Sequence, residues 1–458
     1  MKHPSSPRAG NLTAAQTPPL ADTGGTFRGI LKSSALIGGS SLINIGVGAM
    51  RTKALALLLG PAGIGLMGGF TMILELSRNI AQLGLPQSGV RQIAEAASSG
   101  DKRRLALTRL VLQRTTFLCA VFGALTLWAF SAEVSTLTFG TKEHATSISL
   151  LSVALFLSVV SGGQSALLNG MRRMMAIAKV NVYGSVLGAI ATISIVYFTA
   201  ERGIVPSLVA ISIASFVFSL WYSQKERTVN VVLNAGDAAR EAALLFRLGL
   251  AFLASSLLMS GAAFTVRTFV LRTMGLDAAG MYQAAWALGG LYVGFVLQAL
   301  GQDFYPRLVG VVHDHDACNA TVNEQSTASL LLAAPGIIAT ITFARLVIYV
   351  FYSAKFDGAI VLLQWMCLGM ALRVITWPPG FIIVAKNRQF AFIAAEASWA
   401  TFNIAATWLC LHAFGLEGAG IAFLMTNIFH AFIIYYQARC MTGFRWSSEN
   451  MRAGSYFV

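Results

Sequence analysis

Leu59-Gly60-Pro61-Ala62-Gly63 joins two long apolar runs, and Gly275-Leu276-Asp277-Ala278-Ala279-Gly280 joins two more roughly 215 positions later. The runs on either side of each turn are long enough to be helices that cross some 30 Å of hydrocarbon, for which about 20 apolar residues suffice. Working outward, apolar spans are predicted at 30–58, 63–96, 106–130, 147–168, 178–199 and 203–222, then at 248–272, 279–305, 327–351, 358–384, 389–413 and 417–438. Two further pairs keep the same offset: Gly203 and Gly418 open the last span of each half, and Arg172-Arg173 answers Asn387-Arg388. Each half therefore holds six helices. Six is even, so the repeat runs parallel, about an axis along the membrane normal. Transporters built from two such lobes place their substrate at the interface and alternate access around it.

The composition agrees. Of 458 residues, 56% are hydrophobic and 11% charged, with a mean hydropathy of +0.67. A soluble chain carries about a quarter charged residues. The ten-residue alternating segments of a membrane β-barrel are absent. Lipid offers backbone amides no water, so every span must be helical. The expected fold class is an all-α polytopic membrane protein of about twelve transmembrane helices in two six-helix lobes. Its parts are a disordered tail (1–28), an N-lobe (29–225), a polar linker (226–247), a C-lobe (248–440) and a second tail (441–458).

Lys and Arg total 33 against 19 Asp and Glu. One set of alternate connections holds Lys102, Arg103, Arg104, Arg172, Arg173, Lys179, Lys225, Arg227, Arg240, Lys386 and Arg388, while the other has mainly Lys142, Arg202, Arg272 and Lys355. The positive-inside rule then puts both termini in the cytoplasm. It also accounts for the net charge of +14 without a nucleic-acid partner. The five cysteines are scattered and imply neither disulfides nor zinc. Gly63-Ile-Gly65-Leu-Met-Gly68 matches a dinucleotide fingerprint by pattern, but it opens an apolar helix, where small residues serve close packing. Gly184 and Gly188 read the same way. No phosphate loop or other cofactor motif occurs, and His313-Asp314-His315-Asp316 reads as a solvated loop rather than a metal cluster.

The informative residues are charges inside spans, each costing roughly 2.5–3.5 kcal/mol at the bilayer centre unless it finds a partner or a wet cavity. The candidates for a cationic, substrate-binding cavity are Arg51, Lys53, Arg78, Arg267, Arg345 and Arg373. Glu75, Asp303 and Glu396 are candidates for coupling to a proton or sodium ion. Glu75 and Arg78 share a helix face and could pair, as could Asp303 and Arg307. His412 and His430 are expected to be packing residues. Embedded Arg in surplus suits an anion, because the guanidinium fork matches phosphate oxygens.

The line Arg51-Thr-Lys53-Ala-Leu-Ala-Leu-Leu-Leu-Gly60-Pro61-Ala62-Gly63-Ile-Gly65-Leu66 resembles the first connection of the polysaccharide flippases of the MOP superfamily. Gln82-Leu-Gly84-Leu-Pro86-Gln-Ser-Gly89-Val-Arg91-Gln-Ile-Ala-Glu95 is similar to the end of their second helix, and Tyr305-Pro306-Arg307-Leu308 to the close of the eighth. The likeness covers residues 29–440 and is nearest to the Wzx-type O-antigen translocases. It implies a V-shaped pair of bundles around a cationic cavity, with family basic positions falling on Lys53 and Arg91. It implies as substrate an undecaprenyl-diphosphate-linked oligosaccharide, moved to the periplasmic leaflet of the bacterial inner membrane. A polysaccharide polymerase and a chain-length regulator would be partners. The competing readings are a drug exporter of the same superfamily, a lipid II flippase, which needs two further helices, and a membrane glycosyltransferase, which needs catalytic carboxylates or a large periplasmic loop.

Overall fold

A computed structural model of the chain describes residues 23–226, 235–448 and 450–452. Most of the predicted N-terminal tail, the first part of the predicted linker (227–234), residue 449 and the last six residues lie outside the described residues. Thirteen α-helices run in order: α1 (Thr23–Gln82), α2 (Leu85–Ser98), α3 (Lys102–Ala129), α4 (Ser131–Phe139), α5 (Ala145–Gly170), α6 (Met174–Thr199), α7 (Ile204–Gln224), α8 (Ala235–Gly310), α9 (His315–Thr342), α10 (Ala344–Phe351), α11 (Ala359–Ala385), α12 (Gln389–Phe414) and α13 (Glu417–Thr442). No strand occurs among the described residues. α1 and α8 each break once, at Gly60 (φ 69°) and Gly275 (φ 85°). A side chain would strain either backbone, so glycine is what lets the chain turn there.

Eight helical stretches are long and apolar enough to cross a membrane. Three of them are pairs, divided at Gly60, at Gly275 and at the 3₁₀ turn Ala200–Gly203, and α12 supplies the twelfth crossing. The protein is a twelve-span, multi-pass membrane protein. The start of α1 and the end of α13 fall on one face, called here the terminal face. Two boundaries differ from expectation. The predicted second span ends at Gln82, because Leu83 and Gly84 both take positive φ, and α2 departs as a separate amphipathic helix. The predicted ninth span breaks at Phe343, leaving α10 as a short helix on the opposite face.

The repeat is written into the backbone. Gly60 and Gly275, Arg172 and Asn387, and Ala200 and Gly415 are residues of positive φ, each pair 215 positions apart. Asp101 caps α3 by accepting hydrogen bonds from the amides of Arg103 and Arg104, and Asp314 caps α9 by accepting from Asp316 and Ala317. Asp314 thus has a structural use, and no metal-binding group of three or more residues exists among the described residues.

Each lobe has its own core. Leu66, Phe70, Ile73, Leu151, Leu155 and Leu208 fill the N-lobe, and Trp286, Leu288, Leu363, Val374 and Phe423 belong to that of the C-lobe. Large apolar residues such as Phe122, Trp128, Phe198 and Phe432 point outward, where lipid receives them at no cost. The C-terminal segment returns to the C-lobe. Asn323 on α9 accepts from the amide of Ser447 at 2.9 Å and donates to the carbonyl of Arg445 at 3.0 Å, while Phe444 is wholly buried beside Phe304 and Cys318.

The lobes meet mainly along α1 and α8. On the opposite face the contact is reciprocal about the pseudo-twofold axis. A Cβ on Gly65 would lie 2.1 Å from the Leu276 carbonyl oxygen, and one on Gly280 1.9 Å from that of Pro61. Gly65 and Gly280 are repeat equivalents, as are Pro61 and Leu276, so one backbone-to-backbone contact is made twice. The small residues of the dinucleotide-like pattern are therefore a packing surface.

Candidate functional site

Inside the N-lobe lies a polar pouch of about 600 Å³. The second limb of α1 (61–82) contributes Thr71, Glu75, Arg78 and Gln82, spaced three or four apart so that they share one face. The first limb contributes Asn44 and Arg51, and α5 contributes Ser158, Ser161 and Ser165. From α6 come Asn181, Gly184 and Ser185, and from α7 Ser212 and Ser215. Two guanidinium groups against one carboxylate leave the pouch positive. No ion pair within 4.0 Å joins Glu75 to Arg78 or Arg51 among the described residues, and Arg51 Nε is buried without a hydrogen-bond partner among them. The Glu75–Arg78 pairing that the spacing allowed does not form among the described residues, and both groups line the cavity. The hydroxyl wall was missed in the sequence, although the spacing of Ser158, Ser161 and Ser165 marks one helix face.

The six predicted cavity cations separate into four settings. Arg51 and Arg78 line the pouch. Arg267 lies in a small cleft between the lobes, with its guanidinium 5.8 Å from the Trp286 ring centre. Arg373 lies within the C-lobe, near enough to Glu396 and His430 to interact with both electrostatically. Lys53 and Arg345 depart from the expectation. Lys53 Nζ reaches across to the C-lobe and donates to the carbonyls of Tyr349 at 2.6 Å and Tyr352 at 2.5 Å. It caps the C-terminal end of α10, where unsatisfied carbonyls carry negative partial charge. Arg345 is exposed on α10, and its Nε donates to the Tyr349 hydroxyl at 3.2 Å. Lys53 belongs to the closure of the opposite face and Arg345 to the surface of α10, rather than to a cavity.

The predicted coupling acids also divide. Glu75 is in the pouch. Asp303 is 82% exposed and lies 3.7 Å from Arg307, a solvated pair near the terminal face, so its carboxylate lacks the embedded setting expected of it. Glu396 lies 4.0 Å from His430. Arg91 is exposed and pairs with Glu95 at 2.9 Å.

The repeat sets larger side chains at several pouch positions of the C-lobe. Thr71, Gly162 and Gly184 have Trp286, Trp377 and Trp399 as their equivalents 215 positions on, and Leu208 has Phe423. Trp286 and Phe423 meet edge to face at 5.4 Å. The same folding unit carries small or polar residues at these positions in one copy and aromatic rings in the other.

Two lobes of six helices related by a pseudo-twofold axis, with a polar pouch in one of them, make up the fold. Solved transporters of the MOP superfamily share that fold. An inward-facing multidrug resistance MATE family transporter of that superfamily superposes with a TM-score of 0.73 at 15% identity, over 92% of this chain and 96% of that one. An outward-facing MATE structure gives 0.62 at 16% identity, over 93% and 96%. A family model for polysaccharide biosynthesis proteins matches residues 54–361, and the chain belongs to that family. The chain is also similar to the lipid III flippase of Escherichia coli (strain K12), with 24% identity over 438 residues, 91% of this chain and 99% of that protein.

Proposed function

We propose that this protein is a flippase that moves an undecaprenyl-diphosphate-linked oligosaccharide, an O-antigen or related surface-polysaccharide unit, from the cytoplasmic to the periplasmic leaflet of the bacterial inner membrane. The observation that carries the reading is the N-lobe pouch. Arg51 and Arg78 supply bidentate donors for a diphosphate where water is scarce. The serine, asparagine and glutamine wall supplies hydrogen bonds of the kind sugar hydroxyls exchange. Similarity to a lipid III flippase over nearly the full length of both chains supports the same substrate class. The terminal face is the cytoplasmic one, as the loop charges predict, and the protein is a carrier that makes and breaks no covalent bond.

The head group enters from the terminal face and settles against Arg51 and Arg78 while the lobes are sealed at Gly65 and Gly280. The prenyl tail stays in lipid, and an apolar groove of about 500 Å³ between the second limb of α1 and α3 gives it a surface to lie on. Rocking of the lobes breaks the Lys53–α10 contact and opens the pouch to the periplasm. A polymerase and a chain-length regulator receive the product there. The structural similarity to multidrug transporters sets the rival reading, a cation-coupled drug exporter, but a pouch with surplus Arg repels the cations such exporters carry.

The test is deletion of the gene in its native bacterium, followed by analysis of surface glycan and of lipid-linked intermediates. Loss of a surface glycan with its diphosphate-linked unit trapped in the cytoplasmic leaflet is the expected result. Normal glycan and lipid pools with new sensitivity to cationic dyes would replace the flippase with an exporter.

A further inference from the structure

The pouch residues Ser158, Asn181 and Ser215 have, 215 positions on, Arg373, Glu396 and His430. Three neutral hydrogen-bonding groups in the N-lobe are thus replaced in the C-lobe by a base, an acid and an imidazole, brought from α11, α12 and α13 to one place. Glu396 Oε1 and His430 Nε2 are 4.0 Å apart, with side chains 20% and 18% exposed. His430 Nε2 is buried and has no hydrogen-bond partner among the described residues. Arg373 acts electrostatically on both. The fourth packed element, the first limb of α8 (235–274), meets α12 at Leu258, Met259 and Ala262 and offers no titratable group there among the described residues.

A trio kept only to neutralise buried charge needs Arg373 and Glu396 alone. The imidazole is an addition. It stands just beyond hydrogen-bond distance of a carboxylate, with a ring nitrogen that nothing satisfies, which is costly for a buried polar group. One proton placed between them changes this. Whichever of the two carries it, the gap closes into a hydrogen bond, and α12 is tied to α13.

We infer that Arg373, Glu396 and His430 form a proton-binding site that powers or gates transport from within the C-lobe, while the N-lobe pouch holds the cargo. The inference rests on the transporter reading for its purpose but not for its chemistry. Unloaded, the trio holds one positive and one negative charge and is neutral. Loaded, it gains one positive charge and one interhelical bond. Each protonation state favours a different arrangement of α12 against α13, which is the requirement for an ion to bias a conformational equilibrium. The aromatic packing of the C-lobe suits this division, since a packed lobe transmits a helix shift as a rigid body.

The test needs no substrate in its first arm. Proton binding by the purified protein in detergent is compared with that of Glu396→Gln, His430→Gln and the double variant between about pH 3 and pH 8, a range that spans carboxylate and imidazole titration. Without Glu396, His430 faces Arg373 alone and stays neutral; without His430, Glu396 feels the charge of Arg373 alone and stays ionised. Each single variant is therefore expected to bind about one proton fewer than the parent, and the double variant to lack that same proton rather than two. Single variants that titrate like the parent overturn the site. The second arm uses the unaltered protein in vesicles, with the lipid-linked substrate and a pH gradient, acid on the periplasmic side. Faster flipping with the gradient, lost in either single variant, is expected. Flipping insensitive to the gradient, with the titration as expected, would leave a proton site that does not drive transport and overturn its coupling role. If no lipid is flipped at all while the titration holds, the cargo assignment fails and the site stands.

Discussion

Alanine at Gly280 is the sharpest probe of the closed opposite face. The added methyl would sit 1.9 Å from the Pro61 carbonyl oxygen and 3.0 Å from the Gly65 nitrogen. Both atoms are backbone, so the clash cannot be relieved by a rotamer change, and the lobes must separate locally. Overpacking of this kind costs about 1–3 kcal/mol. Alanine also favours a helix over glycine by about 1 kcal/mol, but that gain is present whether the lobes are closed or open and cancels from the equilibrium between them. The penalty is felt only in the sealed form, so Gly280→Ala shifts the population toward the form open on the opposite face by about 5- to 150-fold. Met72, 4% exposed at the base of the interlobe cleft, supplies the assay. In a background with the five native cysteines replaced, Met72→Cys is labelled by a membrane-impermeant maleimide added on the side of the opposite face, with and without Gly280→Ala. Labelling should rise by at least fivefold. Gly261→Ala, whose Cβ meets nothing within 4 Å, should leave it unchanged. A Gly280→Ala rate equal to the parent's would show that the glycine contact does not hold the lobes together.

Lys53→Met removes two charged hydrogen bonds to carbonyls of the other lobe. Such bonds are worth about 1.5–3 kcal/mol, so the same maleimide assay should report opening of similar size, and an unchanged rate would make Lys53 a passive cap. Gly184→Trp copies into the N-lobe the ring that Trp399 places in the C-lobe. It should cut flipping at least about tenfold with normal folding by size-exclusion chromatography, and full activity would exclude the pouch as the cargo site. The reverse change, Trp399→Gly, empties a packed core and should destabilise the protein by about 3–5 kcal/mol, read as a fall in thermal midpoint. Asn323→Ala removes three tethers of the C-terminal segment. Trypsin should then cut at Arg445 and Arg452 several times faster than in the parent; equal rates would mean that the buried Phe444 and the Thr327–Asn450 bond hold the segment without Asn323.

The helical class, the span number and the repeat were legible because each has a linear signature. Runs of about 20 apolar residues and the recurring turn residues at Gly60, Gly275, Arg172 and Asn387 can be counted. The short helices α4 and α10 left no such mark, since they continue the apolar character of α3 and α9 past breaks at Phe130 and Phe343. Embedded charge was legible, but facing was not. Arg51 and Lys53 stand two positions apart, which on a helix turns them to nearly opposite sides. One looks into a cavity and the other across to the second lobe. Asp303 and Glu396 both occur in apolar runs, and only packing separates the solvated acid from the enclosed one. His430 was read as packing, because the two charged groups that surround it come from other helices, 57 and 34 positions away.

The tryptophans that pave the C-lobe bear on how such a protein diversifies. A duplicated chain begins with two equal chambers, and any change of cargo must satisfy both. Once one chamber is closed, its helices are freed from recognition and answer only to rigidity and to the proton. Glycan preference should then travel with one half of the chain. A chimera that takes residues 29–225 from a relative of different specificity should take that relative's cargo with it, and one that takes residues 248–440 should keep the parent's.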